Sequence, residues 1–201
     1  MKLSFSQTKI KSFSVQFYWL QWAIVTLIGF LLSLVWLEIG EPPDLGTLQG
    51  TVGGTIIGLF QALILSRWFP QAWLWILATL IPWGLMAGSQ LGAIGWVAPR
   101  TELISVRLTT GMILGGITGL WVGLWQWLIL RQQFSNSYIW ILISGLSWSV
   151  GLSLGWLVGG LLRSVTHLFL GEVVGLAIAW LLVGLQTGLV LAILLKKRLS
   201  R

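Results

Sequence analysis

The sequence predicts an all-α membrane protein in which six transmembrane helices form one bundle. Its 201 residues are 56% hydrophobic and only 8% charged, whereas soluble proteins carry roughly 25% charged residues. Several uncharged apolar runs exceed the roughly 18 residues that indicate a membrane helix. Within two of these runs glycine recurs at every fourth position, which is typical of closely packed membrane helices.

The glycine pattern recurs along the chain. Residues four positions apart lie on one face of a helix, and glycine on that face lets a second backbone approach closely. The first line of glycines recurs 65 residues later, and a weaker third line appears 125 residues after the first, with Ala179 and Val183 in place of two glycines. The residues predicted to pack helices are Gly46, Gly50, Gly54, Gly58, Gly111, Gly115, Gly119, Gly123, Gly171 and Gly175.

The first half of the chain contains three of the expected spans. Residues 1–16 form a basic N-terminal tail. The apolar run that follows is too long for a signal peptide, and no cleavage site of the A-x-A type is visible. An acidic stretch with two prolines separates span one from span two, which carries the first glycine line. A tight turn at Pro70 leads into span three, which Pro82 is expected to kink.

The second half repeats this organisation. Residues 98–107 are expected to form a loop or a short interfacial helix before span four, which carries the second glycine line. A tight turn at 131–137 precedes span five, and a loop at 163–170 contains the single histidine, His167. A basic tail at 196–201 follows span six. The six spans are predicted at 17–37, 45–66, 72–97, 108–130, 138–162 and 171–195.

Tryptophans in the odd spans follow the same repeat as the glycines. Trp75 and Trp83 recur as Trp140 and Trp148, again 65 residues later. The unit is therefore interpreted as a two-span hairpin that is used three times. Units with an even number of spans keep one orientation and are related by an axis along the membrane normal. This predicts approximate threefold pseudosymmetry, with the glycine-lined spans two, four and six innermost.

The distribution of charge predicts the orientation in the membrane. Nine lysines and arginines lie on the side of the two termini, and the other side holds all five acids and only Arg100, Arg107 and Arg163. Because cytoplasmic loops are enriched in Lys and Arg, both termini are expected in the cytoplasm, in a bacterial inner or thylakoid membrane. The basic face favours anionic lipid as a partner of the bilayer-embedded chain, and not nucleic acid.

The fifteen tryptophans allow two interpretations. Trp22, Trp96 and others near the predicted span ends fit an aromatic belt at the membrane interface. A deeper set could instead fill gaps opposite glycines or contact a bound lipid, quinone or pigment. The belt is expected to include Trp19, Trp22, Trp68, Trp73, Trp96 and Trp127, and the deeper set Trp83, Trp121, Trp148 and Trp180.

Glutamines end the glycine lines. Gln61, Gln126 and Gln186 are expected near the cytoplasmic ends of the even spans. They are interpreted either as interhelical hydrogen-bonding groups, worth roughly 0.6–2 kcal/mol each, or as a polar ring that lines a site or pore.

No constellation in the sequence predicts catalysis. Ser153 lies in a G-x-S-x-G pattern, but this pattern activates serine at a strand-to-helix turn, and here it falls inside a predicted helix. A single histidine cannot build a metal site, and the chain has no cysteine. No Asp, Glu, Lys or Arg is expected well inside a span, which argues against ion-coupled transport. The sequence therefore predicts no enzyme, no metal and no cofactor, and leaves a bound lipid or pigment open.

Two runs of residues resemble known sequences. The run from Gly119 to Arg131, GLWVGLWQWLILR, and the run from Trp140 to Trp148, WILISGLSW, resemble uncharacterised Trp- and Gly-rich multi-pass membrane proteins of cyanobacteria and other bacteria, some of them fused behind kinase domains. The resemblance covers most of residues 46–195. It implies a membrane location and no particular activity.

These observations lead to a function by association. The expected role is a non-enzymatic integral membrane scaffold or an accessory subunit that docks another membrane protein through aromatic surface. Two alternatives stay open. One is a small-solute carrier or a membrane substrate-binding component, and the other is a protein that binds pigment, quinone or lipid.

Overall fold

The computed structural model describes residues 17–40, 45–89 and 91–199, and these fold into six α-helices. The predicted tail 1–16 and the prolines at 42 and 43 lie outside the described residues. Within the described ranges there is no strand, so the all-α prediction is confirmed. The helices are α1 (Tyr18–Ser33), α2 (Thr47–Leu65), α3 (Leu74–Ala87), α4 (Ile104–Leu130), α5 (Ile139–Thr166) and α6 (Leu170–Leu199).

Four of these helices, α2, α4, α5 and α6, are long and apolar enough to cross a membrane. This supports the prediction of a membrane protein. With a rise of 1.5 Å per residue, α1 and α3 extend over about 24 Å and about 21 Å, which is shorter than the hydrocarbon core of roughly 30 Å. The α6 helix continues through Leu199 and so includes most of the residues predicted as the basic tail 196–201.

Two other predicted boundaries differ from the structure. The α4 helix begins at Ile104, four residues before the predicted start, so Arg107 belongs to its first turn. The α5 helix continues to Thr166, and the predicted loop 163–170 shrinks to three residues. His167 ends α5 in the left-handed conformation, at φ 57°, and its backbone N–H donates to the Arg163 carbonyl oxygen.

The prediction of one helix over 72–97 was wrong at its far end, whereas its start lies within two residues of the observed helix. Residues Pro70–Trp73 form a 3-10 turn before α3, and α3 ends at Ala87. The chain then reverses at Gly92, whose φ of 71° is readily adopted only by glycine. Residues 91–98 are almost all apolar, and hydropathy cannot distinguish such a segment from the continuation of a helix.

Residues 91–99, here called the capping segment, cross one end of the bundle. The segment contains the 3-10 turn Ile94–Trp96, and the residues from 92 to 98 are buried. Its carbonyl oxygens at Gly95 and Val97 accept hydrogen bonds from the indole nitrogens of Trp180 and Trp156, both at 2.9 Å. These side chains supply hydrogen bonds that buried irregular backbone would otherwise lack.

The six helices form a closed ring. Each helix packs mainly against its two neighbours in chain order, and α6 returns to α1. Neighbours run antiparallel, since Gly54 lies beside Leu80 while Gly58 lies beside Ile76. The end with the α2–α3 and α4–α5 turns is called the proximal end, and the end with the capping segment is called the distal end.

The glycine lines lie between neighbours in this ring. A Cβ atom at Gly119 would meet the backbone of Ser144 and Gly145, so α4 and α5 touch backbone to backbone. Gly50, Gly54 and Gly58 of α2 face α3, and Gly171 and Gly175 of α6 face α5. Gly46 is the exception, since among the described residues a Cβ there would meet only Gln49, three positions further along the chain. The even helices were expected to be innermost, which was wrong, because their glycines face sideways towards the odd helices.

Candidate functional site

The centre of the ring is filled with tryptophan. The predicted interfacial belt was wrong for Trp22 and Trp96, which are 1% and 0% exposed. Their positions near predicted span ends did not reveal that they point inwards. Trp19, Trp68, Trp73 and Trp127 are not buried. The buried tryptophans are Trp22, Trp75, Trp83, Trp96, Trp140, Trp148, Trp156 and Trp180.

The proximal half of the centre is an aromatic layer with one tryptophan from each odd helix. Trp75 of α3 meets Trp22 of α1 at a ring-centroid distance of 5.6 Å and Trp140 of α5 at 5.7 Å, both edge to face. Pairs in this geometry stabilise by about 0.5–1.5 kcal/mol beyond the burial of area. The layer therefore joins three helices that are not neighbours in the ring.

The indole nitrogens of this layer are bound by polar side chains from the even helices. Gln61 Oε1 accepts from Trp75 Nε1 at 2.8 Å, and Gln61 Nε2 donates to Thr26 Oγ1 at 2.9 Å. Gln126 makes the same pair of bonds, accepting from Trp140 at 3.1 Å and donating to Thr79 at 3.3 Å. Each of these glutamines thus connects two odd helices through its own even helix.

Gln186, predicted as the third member of a polar ring, lies outside this layer. It is half-buried, and its amide donates to the Leu182 carbonyl of its own helix at 3.2 Å. Thr187 takes the central position instead, and its hydroxyl accepts from Trp22 Nε1 at 3.1 Å. The sequence signal for this alignment was Gly184, which lies against Ala23 of α1. Gly184 follows Gly58 by 126 residues, and the same shift pairs Thr187 with Gln61.

The distal half of the centre is a second aromatic cluster beneath the capping segment. Trp148 lies 4.6 Å from Trp180 and 5.3 Å from Trp83, and Trp96 of the capping segment lies 4.9 Å from Trp83. A Cβ atom at Gly95 would meet Trp180, Trp83 and Trp148. Only glycine lets the capping segment rest directly on these rings, which close the centre at this end.

A buried ion pair also holds the distal end, and the sequence did not predict it. Arg107 of α4 and Glu172 of α6 form a bidentate pair with N–O distances of 2.7 Å and 2.9 Å, and both side chains are 1% exposed. Glu172 and Arg163 lie at predicted span ends, where a charge can snorkel or pair, but no sequence pattern identifies Arg107 as the partner of Glu172. Arg107 and Glu172 each lie in the first turn of a helix, so their position resembled that of an interfacial charge.

The remaining donors of Arg107 bind backbone oxygens. Nε donates to Thr101 at 2.7 Å, Nη1 to Trp156 at 2.9 Å and Nη2 to Pro99 at 3.2 Å. The guanidinium therefore connects α4, α5, α6 and the end of the capping segment. Arg163, whose side chain is 44% exposed, lies 3.6 Å from the same carboxylate. Both carboxylate oxygens of Glu172 accept hydrogen bonds from Arg107, so we interpret the pair as a structural ion pair.

A lateral groove opens between α3 and α4, which make the least contact of any neighbours in the ring. Its volume is about 540 Å³, within the range of roughly 300–1,000 Å³ that holds small molecules. Trp121 forms one wall and donates to the Pro82 carbonyl oxygen at 3.2 Å. The lining is almost entirely apolar and includes Leu85, Met86, Ile117, Leu120, Trp121 and Leu124.

The other residues considered for chemistry lie apart from these features. Ser153 is inside α5, and its hydroxyl donates to the Leu108 carbonyl oxygen at 3.0 Å. It therefore lacks the exposed turn of an activated serine. His167 is exposed at the distal end.

Comparison with known proteins identifies no relative. No protein-family model, no curated protein and no solved structure matches the chain.

Proposed function

We propose that this protein is a non-enzymatic integral membrane scaffold or accessory subunit of a membrane protein complex. The observation that supports this most strongly is the filled centre of the ring. Tryptophan rings occupy both halves, and the glutamines there are bound to Trp75 and Trp140. Because side chains fill the interior of the ring, a binding role would use its outer surface.

The proposed architecture is three antiparallel helix pairs around a pseudo-threefold axis, two of them hairpins. The units are α2–α3, α4–α5 and α6–α1. Gly58 lies against Ile76 and Thr79, Gly123 against Ile141 and Ser144, and Gly184 against Ala23 and Thr26. These matching neighbours support one packing arrangement used three times, with the last unit built from the two ends of the described chain.

The proposed topology has six spans, with both termini on the cytoplasmic side of a bacterial inner or thylakoid membrane. The basic residues at the proximal end support this orientation and suggest contact with anionic lipid. Cysteine introduced at Gln133 should be labelled only after permeabilisation, whereas cysteine at Leu103 should be labelled in intact cells. Labelling of position 133 in intact cells would contradict the orientation.

The α3–α4 groove is the surface proposed to dock another membrane protein. Its wall is rich in large apolar side chains, and a rigid tryptophan such as Trp121 is favoured at interface hot spots. The test is a photo-crosslinking residue at Ile117, in the groove, with a control at Leu146. Both positions are exposed, at 43% and 62%, but Leu146 does not line the groove.

In the native membrane, position 117 should form an adduct with a defined protein, and position 146 should give lipid adducts alone. A chain that purifies alone in several mild detergents and forms no protein adduct at position 117 would contradict the scaffold role.

The same groove favours one alternative, the binding of an apolar small molecule such as a lipid or quinone. In that case the adduct at position 117 would be a small molecule, identified by mass spectrometry, and position 146 would not enrich it. The carrier alternative draws less support, since the centre of the ring contains tryptophan where a path would run. Flux of a solute in reconstituted vesicles would favour the carrier.

A further inference from the structure

The polar layer at the centre of the ring contains three equivalent hydroxyl groups with different partners. They belong to Thr26 of α1, Thr79 of α3 and Ser144 of α5. Two of them accept a hydrogen bond from a glutamine amide, since Gln61 binds Thr26 and Gln126 binds Thr79. At the third position α6 carries Thr187, which lacks an amide and lines the same small cavity as Ser144. The side chain of Thr187 is therefore shorter than those of Gln61 and Gln126, because it has no amide group.

Ser144 is left with an unused hydroxyl. Its side chain is only 2% exposed, and within the described part of the chain its hydroxyl makes no hydrogen bond. Thr79 and Thr187 each donate to the carbonyl oxygen four residues earlier in their own helix. Buried polar groups are rarely left unbound, because their desolvation is costly.

Thr187 has capacity for one more bond. Its hydroxyl donates to the Val183 carbonyl oxygen and accepts from Trp22 Nε1, which leaves a second lone pair free to accept. Ser144 and Thr187 both line a small cavity of about 20 Å³, together with Gln126 and Val183. A cavity holds a water molecule when it exceeds about 10–15 Å³ and supplies two to four polar partners.

We propose that this cavity binds a single buried water molecule that bridges Thr187 Oγ1 and Ser144 Oγ. The water donates to both hydroxyl oxygens, or accepts from Ser144 while donating to Thr187. In either arrangement it replaces the amide that glutamine supplies at the other two positions. This site does not depend on the proposed scaffold role.

The first test is a structure of the purified full-length chain at a resolution that shows ordered solvent. Density is expected within hydrogen-bond distance of both Thr187 Oγ1 and Ser144 Oγ. A map that resolves other buried solvent but shows none between these two oxygens would overturn the proposal.

The second test replaces the water with protein. In Thr187→Gln the amide should reach Ser144 as Gln61 reaches Thr26, so the water density should disappear and the melting temperature in detergent should rise. Adding Ser144→Ala should remove this gain. The matched control is Gln186→Asn, one position away and outside the layer, which should leave both the density and the melting temperature unchanged.

A third variant keeps the proposal testable if Thr187→Gln does not fold. Ser144→Ala removes one partner of the water without adding volume. Loss of the density in this variant supports the bridge, and unchanged density overturns it.

Discussion

The α4 helix takes part in two contrasting contacts. Towards α5 it presents glycines, and the backbones touch, so that a Cβ at Gly111 would meet the backbone of Ser153. Towards α3 it presents Ile117 and Trp121, which line a groove of about 540 Å³ between the two helices. The same helix is thus a close-packed element on one side and a wall of a cavity on the other. Stability is expected to reside in the close contact, and binding in the open one.

The largest expected effect concerns the ion pair on the close-packed side. Glu172→Gln leaves the Arg107 guanidinium buried without its counter-charge, and breaking one partner of such a pair costs about 3–5 kcal/mol. The free energy of unfolding can be measured by denaturation in mixed micelles. Glu38, which is exposed, provides the control, and Glu38→Gln should change stability little. A similar small loss for both variants would contradict the assignment of Arg107 as a central connection.

The next effect tests the backbone contact itself. In Gly119→Ala the new methyl group would meet the Ser144 carbonyl oxygen, and overpacking of this kind costs about 1–3 kcal/mol. Gly116 is a matched control in the same helix, because a Cβ there would meet only the Ser149 hydroxyl. Thermal unfolding in detergent should separate the two variants. Equal melting temperatures would show that glycine is not required at the α4–α5 contact.

A smaller effect is expected where polar groups cross the open side. Gln126→Leu removes the amide that joins Thr79 and Trp140, and such interhelical bonds are worth roughly 0.6–2 kcal/mol. Gln186→Leu should have almost no effect, since that amide binds only its own helix. The same melting assay applies. A greater loss for Gln186→Leu would contradict the register in which Thr187 faces the centre.

The smallest effect is expected inside the groove. Leu124→Phe adds volume where space exists and should stay within about 0.5 kcal/mol, as most substitutions at uncrowded positions do. Val122, two residues away, is 3% exposed, and Val122→Phe should cost about 1–3 kcal/mol. Comparison of their melting temperatures maps the boundary between the two faces of α4. Equal destabilisation would mean that the groove has no room for a larger side chain.

Much of the fold follows from local properties of the sequence. Low charge and long apolar runs predicted helices and a membrane setting, because both depend on composition. The glycines at every fourth position predicted surfaces where helices approach, and Gly119 and Gly123 lie against α5. The end of α3 was missed, because the apolar residues after Ala87 satisfy their backbone groups with tryptophan side chains far along the chain, and no local pattern reports those partners.

The candidate site was harder to predict for the same reason. Gln186 and Thr187 differ by one position, and a rotation of about 100° per residue moves one side chain out of the centre and the other into it. The Arg107–Glu172 pair joins two separate helices, and each residue alone resembles an interfacial charge. Long-range partners of this kind depend on how separate helices pack, which periodicity within a single helix does not encode.

The connection made by Arg107 has a consequence for biosynthesis. Its carboxylate partner lies 65 residues later in the chain. At a translation rate of about 5–20 residues per second, Glu172 is synthesised roughly 3–13 s after Arg107. During that interval the guanidinium has no buried counter-charge, so it is expected to wait at the membrane surface. The first turn of α4 would then reach its final depth only after α6 has been inserted. Assembly of the distal end would therefore depend on the insertion of α6.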